Sequence, residues 1–349
     1  MRSIKSPSWT RPGGSGAGAA ARGLAERLLG LTPLAVPPHV FALDAGALRY
    51  GLLARQGRGF RLRAWRELPL PPDAFHSGLL GGTLRDPALF AERLGGFVRA
   101  LPAPVKAASL VLPDAWLRVA FAESGELPSG GEARAEVLRW KLRRLVPFRV
   151  DELRVAGEEV APLPSQAGTA EPRRVLLGFA LEQLLSQLED AFERAGVRIG
   201  QVTNSSLALL AALEPGAGGD VDALAVVERE GYSMVFSRAT ARGAEPLVHR
   251  YKGLGGGVPE GTRTGLVARD LKLTANFLVE HLGGARLGRV VLAAPPEAEP
   301  VWLDRLREGL GVPAQPLDGR HLPPVVAEGE SAPWRAMAPL LGAARREVL

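Results

Sequence analysis

The chain has 349 residues, 46% hydrophobic and 23% charged, with a formal net charge of +6 and no cysteine. That length holds one large or two ordinary domains with ample buried core, and the lack of cysteine excludes disulfides and thiolate metal sites. His39, His76, His249, His281 and His321 are scattered without ligand spacing, and the longest apolar runs, Ser205–Leu213 and Val290–Pro296, fall far short of the about 20 residues a membrane-spanning helix needs.

The N-terminus is charged but lacks the apolar segment of a secretory signal, so a cytoplasmic location is expected. Residues 1–66 carry eleven Lys/Arg against two acids, Glu26 and Asp44, a local charge of +9 that leaves −3 for the rest. Such an end suits an acidic surface, lipid headgroups or nucleic acid; a solvated basic face is the plain alternative. Arginine outnumbers lysine 38 to 5, which genomic base composition can produce by itself. Residues 1–37 read as a flexible basic segment rich in Gly, Ala, Ser and Pro. Within it, Ala20–Leu31 places Leu24, Leu28 and Leu31 at helical spacing beside Arg22 and Arg27. That short amphipathic helix either packs on the protein or lies on a membrane surface.

Three strands follow, Val40–Asp44, Leu48–Ala54 and Phe60–Trp65, then a helix over Pro87–Ala100 and a strand over Ala107–Leu112. The later chain repeats the order. Strands Ala223–Val227, Ser233–Ser237 and Pro246–Tyr251 precede a helix from Gly265 to Leu282, strand Arg289–Ala293, helix Pro300–Leu310, strand Val312–Pro316 and a helix over Trp334–Arg346. The periodicity itself implies only α/β layering; the doubled order suggests two ribonuclease-H-like halves, as in actin and sugar kinases. Glu214–Asp220 (EPGAGGD) reads as their linker. The expected division is 38–213 for the first half, with a β-α-β-β-α subdomain inserted at 114–196, and 220–349 for the second. The insertion reads as strand Trp116–Ala122, helix Glu132–Val146, strands Leu153–Glu159 and Val175–Ala180, and helix Leu181–Ala195.

Arg139–Leu153 (RWKLRRLVPFRVDEL) resembles the helix end of PilM-type type IV pilus assembly proteins, in which a Trp-bearing helix runs into Ile/Val-Pro-Phe and an Asp-Glu pair. Trp140, Val146, Pro147, Phe148, Asp151 and Glu152 fit that pattern, and Pro147 ends the helix because proline removes a donor and restricts Val146. Leu176–Gly196 and Val202–Leu213 resemble the segments that follow in the same family; only Arg139–Gly196 is specific in sequence. The resemblance implies an actin-like α/β fold. It also implies a partner, the cytoplasmic tail of a PilN-type single-pass inner-membrane protein, with pilus motor ATPases and an anionic membrane surface as further contacts. The cytoplasmic domain of the type II secretion L protein has a related architecture. The family's tail groove lies between the first half and its insertion, which points to Leu145, Pro147 and Phe148; the rival reading makes Leu145 and Phe148 core.

The family's nucleotide motifs are eroded here. Asp44-Ala45-Gly46 keeps the first Asp-x-Gly, but Ala47 and Leu48 replace the hydroxyl residues and Arg49 stands for the basic one. The second has Glu228 at the acidic position, while Arg229 and Glu230 replace the glycine that lets phosphate approach backbone amides. Ala293-Ala294-Pro295-Pro296 replaces the Gly-Gly turn under adenine, and only a short connector, Gly253–Gly265, stands where a helical cleft subdomain is expected. No Gly-Lys pair occurs, which excludes a Walker loop. Asp44, Gly46 and Glu228 therefore read as vestiges of a nucleotide site. The expectation is a non-catalytic scaffold with no cofactor. An ATP- and Mg-binding ATPase using Asp44 is the alternative, and nucleic-acid binding is disfavoured because aromatics are 6% of the chain and form no stacking platform.

Overall fold

The structure, a computed structural model, describes residues 37–345 except 77–81, 126, 129–130, 148, 161, 164–172, 215, 217–219, 241–242, 256–259, 283–284 and 328–333. The helix expected at Ala20–Leu31 lies outside the described residues, as does Phe148.

Strands β1 (His39–Leu43), β2 (Ala47–Gln56) and β3 (Gly59–Pro69) form an antiparallel meander. After helix α1 (Pro87–Arg99), β4 (Ala107–Leu112) returns parallel to β1. Asp86 starts α1, accepting from the Leu89 amide, and Pro87 occupies the first turn, where a missing donor costs nothing. An excursion then carries β5 (Arg118–Glu123), α2 (Gly131–Arg143), β6 (Leu153–Val160), β7 (Arg174–Leu181) and α3 (Glu182–Arg194). The chain rejoins the first sheet at β8 (Arg198–Asn204) and crosses over through α4 (Ser205–Ala212). The second meander, β9 (Val221–Glu228), β10 (Gly231–Thr240) and β11 (Gly243–Gly253), leads to α5 (Glu260–His281), β12 (Leu287–Ala293), α6 (Glu299–Leu310) and β13 (Ala314–Pro316). Last come β14 (Val325–Ala327) and α7 (Trp334–Arg345). The sheets run β14-β3-β2-β1-β4-β8 and β11-β10-β9-β12-β13, so the same five-strand order occurs twice.

Period-two alternation on β1 sorts the core into layers. Phe41 and Leu43 face α1 and α3, where Leu94, Leu188 and Phe192 pack; Val40 and Ala42 face α4 and α7. Those two helices lie between the sheets, meeting Leu224, Val226, Val235 and Val291 from the second. The second sheet's other face, with Met234, Phe236 and Leu292, is covered by α5 and α6.

Two features differ from the sequence expectation. Residues 325–345, expected with the second half, join the first: β14 pairs with β3, and α7 packs on α4, β1, β2 and β4. The insertion is β-α-β-β rather than β-α-β-β-α. Its β5-β7-β6 sheet covers α2 through Leu138 and Leu142, whereas α3 sends Leu184, Leu188 and Phe192 into the first sheet's core beside α1. An apolar stripe shows that a helix is covered, not which sheet covers it.

Candidate functional site

The turn between β1 and β2 carries Asp44-Ala45-Gly46, the first of the motifs read in the sequence. Asp44 Oδ1 accepts from the amides of Gly46 at 2.7 Å and Ala47 at 2.9 Å, and its other oxygen is ion-paired with Arg49. Arg49 also donates from Nε to Glu67 at 2.9 Å. Burial works against the Arg49 charge, but Asp44 and Glu67 outweigh it and raise its pKa. The carboxylate thus caps its own turn, an arrangement typical of Asx residues, and takes up both amides.

The turn between β9 and β10 holds the second set. Gly231 is dictated by space, since a Cβ there would lie 2.3 Å from the Lys252 carbonyl oxygen. Glu228, half-buried at the end of β9, accepts from the backbone amide of Asp114 at 2.9 Å. Asp114 sits in the loop after β4, fully buried, and its Oδ1 accepts from Ser206 N at 3.2 Å and Ser206 Oγ at 2.8 Å at the start of α4. Ser206 Oγ also lies 2.8 Å from His249 Nε2 on β11. One polar chain therefore joins both sheets and the entry to the insertion. Burial pushes the Asp114 carboxyl up to about 6 against its serine hydrogen bonds. Burial and the Asp114 charge push Glu228 well above the carboxylate range, and burial lowers His249 to about 4. Glu230, next to this group, is also raised by burial, opposed by Trp116, Arg229 and Arg118.

The Ser206 hydroxyl donates to the Asp114 carboxylate, and Ser206 is fully buried. Among the described residues, no group of three or more His, Asp or Glu side chains is placed to hold a metal ion. Asp114, Ser206 and His249 escaped the sequence reading because 92 and 43 positions separate the bonded pairs. The one local signal was a lone Asp directly after a strand whose sole polar residue is Ser109, and after Pro113.

At the third turn, β12 ends at Ala293, and the Pro295 carbonyl accepts from the amides of Ala298 at 3.0 Å and Glu299 at 3.1 Å to start α6. Those amides close a helix turn. The connector from β11 to α5 spans residues 254–259, and α5 begins at Glu260, five residues before the expected Gly265.

On the insertion, Leu145 is 47% exposed and Pro147 is exposed, so the core reading of Leu145 does not hold. Leu145 and Val146 donate back to the Leu142 carbonyl, closing α2 one turn earlier than Val146. Trp140 is 56% exposed, with Lys141 and Arg144 over its ring. The structure brings Glu228 to Asp114 and keeps Asp44 and Gly46 together in their own turn, while Leu145 and Pro147 stand apart on the insertion.

No family model and no curated protein sequence matches the chain. Among solved structures, a chain of the PilM–PilN type IV pilus biogenesis complex aligns over 88% of this chain and 96% of its own length, with 16% identity and a TM-score of 0.64. The cytoplasmic domain of EpsL, an inner-membrane component of the Vibrio cholerae type II secretion system, aligns over 88% and 95% at 10% identity and a TM-score of 0.44. A Bacteroides thetaiotaomicron protein with an actin-like ATPase fold covers 80% and 91% at 10% identity and 0.45. With its doubled five-strand order and crossover helices, the chain has an actin-like α/β fold of the PilM-like kind.

Proposed function

We propose that the chain is a non-catalytic scaffold of a pilus or related secretion assembly, holding the cytoplasmic tail of a single-pass inner-membrane partner of the PilN type. The observation that carries the scaffold reading is the first turn, where the Gly46 and Ala47 amides donate to Asp44 and Arg49 neutralises the same carboxylate. Glu228 is spent on the Asp114 amide, and Glu230 adds negative charge beside it. A polyphosphate would have to displace these bonds and meet buried acids. The likeness to a chain of the PilM–PilN complex supports the partner class. No helix among the described residues is long and apolar enough to cross a membrane, which suits a peripheral role under a membrane partner.

The tail site in this reading is the junction of the first half with the insertion. Leu112-Pro113 opens it and Gly196-Val197 closes it; β8, which follows Val197, is the edge of the six-stranded sheet. An extended tail with alternating apolar residues can add to such an edge and place side chains against Leu145, Pro147 and Phe148. Motor ATPases and an anionic leaflet are the further contacts proposed. A synthetic partner tail titrated into the full chain tests the reading. Saturable binding, weakened by Leu145→Asp with an unchanged melting curve, supports it; tail binding indifferent to Leu145→Asp and Pro147→Ala contradicts the site.

A further inference from the structure

Helix α2 turns an aromatic ring to solvent. Leu138 and Leu142 anchor the helix on the β5-β7-β6 sheet, and Trp140, midway between them, stands roughly 200° round the helix from Leu138 and points away from that core. The ring is 56% exposed, and it is the only exposed Phe, Tyr or Trp side chain among the described residues; Trp116 and Trp302 are buried. Leu145 and Pro147, also exposed, follow where the chain leaves the helix.

The charges around the ring have one sign. From Arg139 to Arg149 the chain carries five cations and no acid: Arg139, Lys141, Arg143, Arg144 and Arg149. The Arg144 guanidinium lies 5.5 Å from the Trp140 ring centroid and the Lys141 ammonium 5.9 Å from it. Lys141 is held there by donating to a neutral carbonyl, that of Glu123, at 2.7 Å. Arg143 pairs with Asp151 at 3.0 Å and Arg149 with Glu152 at 3.9 Å, both pairs exposed and therefore weak. With those two acids counted, residues 139–152 hold a local charge of +3. The acids of α2 itself, Glu132 and Glu136, lie in its first half, so its C-terminal end is the positive one.

An exposed indole with cations over its face, followed by an exposed leucine, fits the boundary between lipid headgroups and acyl chains. Tryptophan rings settle in that layer, and Lys and Arg meet anionic phosphates there. A single-stranded nucleic acid needs successive stacking platforms, and Trp140 stands alone.

We infer that the C-terminal end of α2 is the face that docks on an anionic bilayer, with Trp140 entering the headgroup layer and Lys141, Arg143 and Arg144 meeting lipid phosphates. The inference rests on the scaffold reading for its choice of occupant and names the surface that meets the leaflet.

Flotation of the full chain with phosphatidylcholine vesicles, with and without about 30% phosphatidylglycerol, tests it. The expected result is retention on the anionic vesicles alone, released by about 0.5 M salt. Arg144→Gln should weaken retention about fivefold, the share of one arginine near an anionic surface, with an unchanged melting curve. Brominated acyl chains should quench part of the bound parent's tryptophan emission, and Trp140→Phe should remove that quenching. The basic N-terminal residues also attract anionic lipid, and the two variants separate the routes. Retention unaffected by Arg144→Gln, or quenching that persists in Trp140→Phe, overturns the inference. Absence of retention also overturns it, including the case in which the chain instead binds a single-stranded oligonucleotide through Trp140. The vesicles contain no partner tail, and the tail titration with Leu145→Asp contains no lipid, so either reading can fail while the other stands.

Discussion

Glu228 accepts a hydrogen bond from the Asp114 amide at 2.9 Å, tying the end of β9 in the second sheet to the loop after β4 in the first. The same Asp114 grips Ser206 at the start of α4, so a single buried aspartate links both halves to the segment that opens the insertion. Removing its charge and removing its side chain have different consequences.

Asp114 and His249 pull stability in opposite directions with pH. The Asp114 carboxyl is raised to about 6, so the folded state holds its proton more tightly than the unfolded chain, and its contribution falls as pH rises from about 4 to 6. His249 is lowered to about 4, so the unfolded chain takes up a proton first, and stability falls as pH drops from about 6.5 to 4. Asp114→Asn keeps an acceptor for Ser206 but removes the first effect. Relative to the parent, the variant should lose stability more steeply on acidification through that window, read from denaturant midpoints at each pH. Parallel pH profiles would contradict the assignment. Asp114→Ala should be worse at every pH, since it strands the Ser206 donors, at a cost of about 1–3 kcal/mol.

The C-terminal helix is part of the first half's core. Gly342 of α7 lies so close to α4 that a Cβ would be 1.5 Å from the Ala208 carbonyl oxygen. Gly342→Ala should therefore cost at least about 1–3 kcal/mol, although alanine favours helix on propensity alone. A melting temperature that rises in this variant would mean the two helices are not in contact.

Much of this architecture is legible in the chain itself. The order of three strands, a helix and a strand, met twice along the chain, carries the doubling of the halves, and Pro87 falls in the first turn of α1. Three things were not legible. β14 is three residues long, too short for a period, and exists because β3 offers it an edge. The stripe of α3 is strong, but the sheet it covers is decided by Phe41 on a distant strand. The Asp114–Ser206–His249 chain joins single residues from three elements with no spacing rule. At the turns, the sequence suggests eroded phosphate ligands at Asp44 and Glu228; in the structure Asp44 bonds its own turn and the nearby Arg49, whereas Glu228 reaches the distant Asp114 amide, a pairing no local pattern announces.

The insertion offers a contrast between two apolar residues. Trp116 is 1% exposed in the first core, so Trp116→Ala should cost about 3–5 kcal/mol. Leu145→Ala should cost no more than about 0.5 kcal/mol, because Leu145 is 47% exposed, and should act on tail binding instead. Chemical denaturation of the two variants, paired with tail titration, separates a fold residue from a docking residue. A stability loss of several kcal/mol in Leu145→Ala would place it in the core after all.

The most direct test of the scaffold account is a calorimetric titration of Mg-ATP into the full chain. The amides of Gly46 and Ala47 are committed to Asp44, and Glu228 to Asp114, so no saturable heat is expected at micromolar nucleotide. Asp44→Ala should change only stability, by about 1 kcal/mol for the lost turn bonds. Micromolar Mg-ATP binding that disappears in Asp44→Ala would contradict the account and make the first turn a working phosphate site.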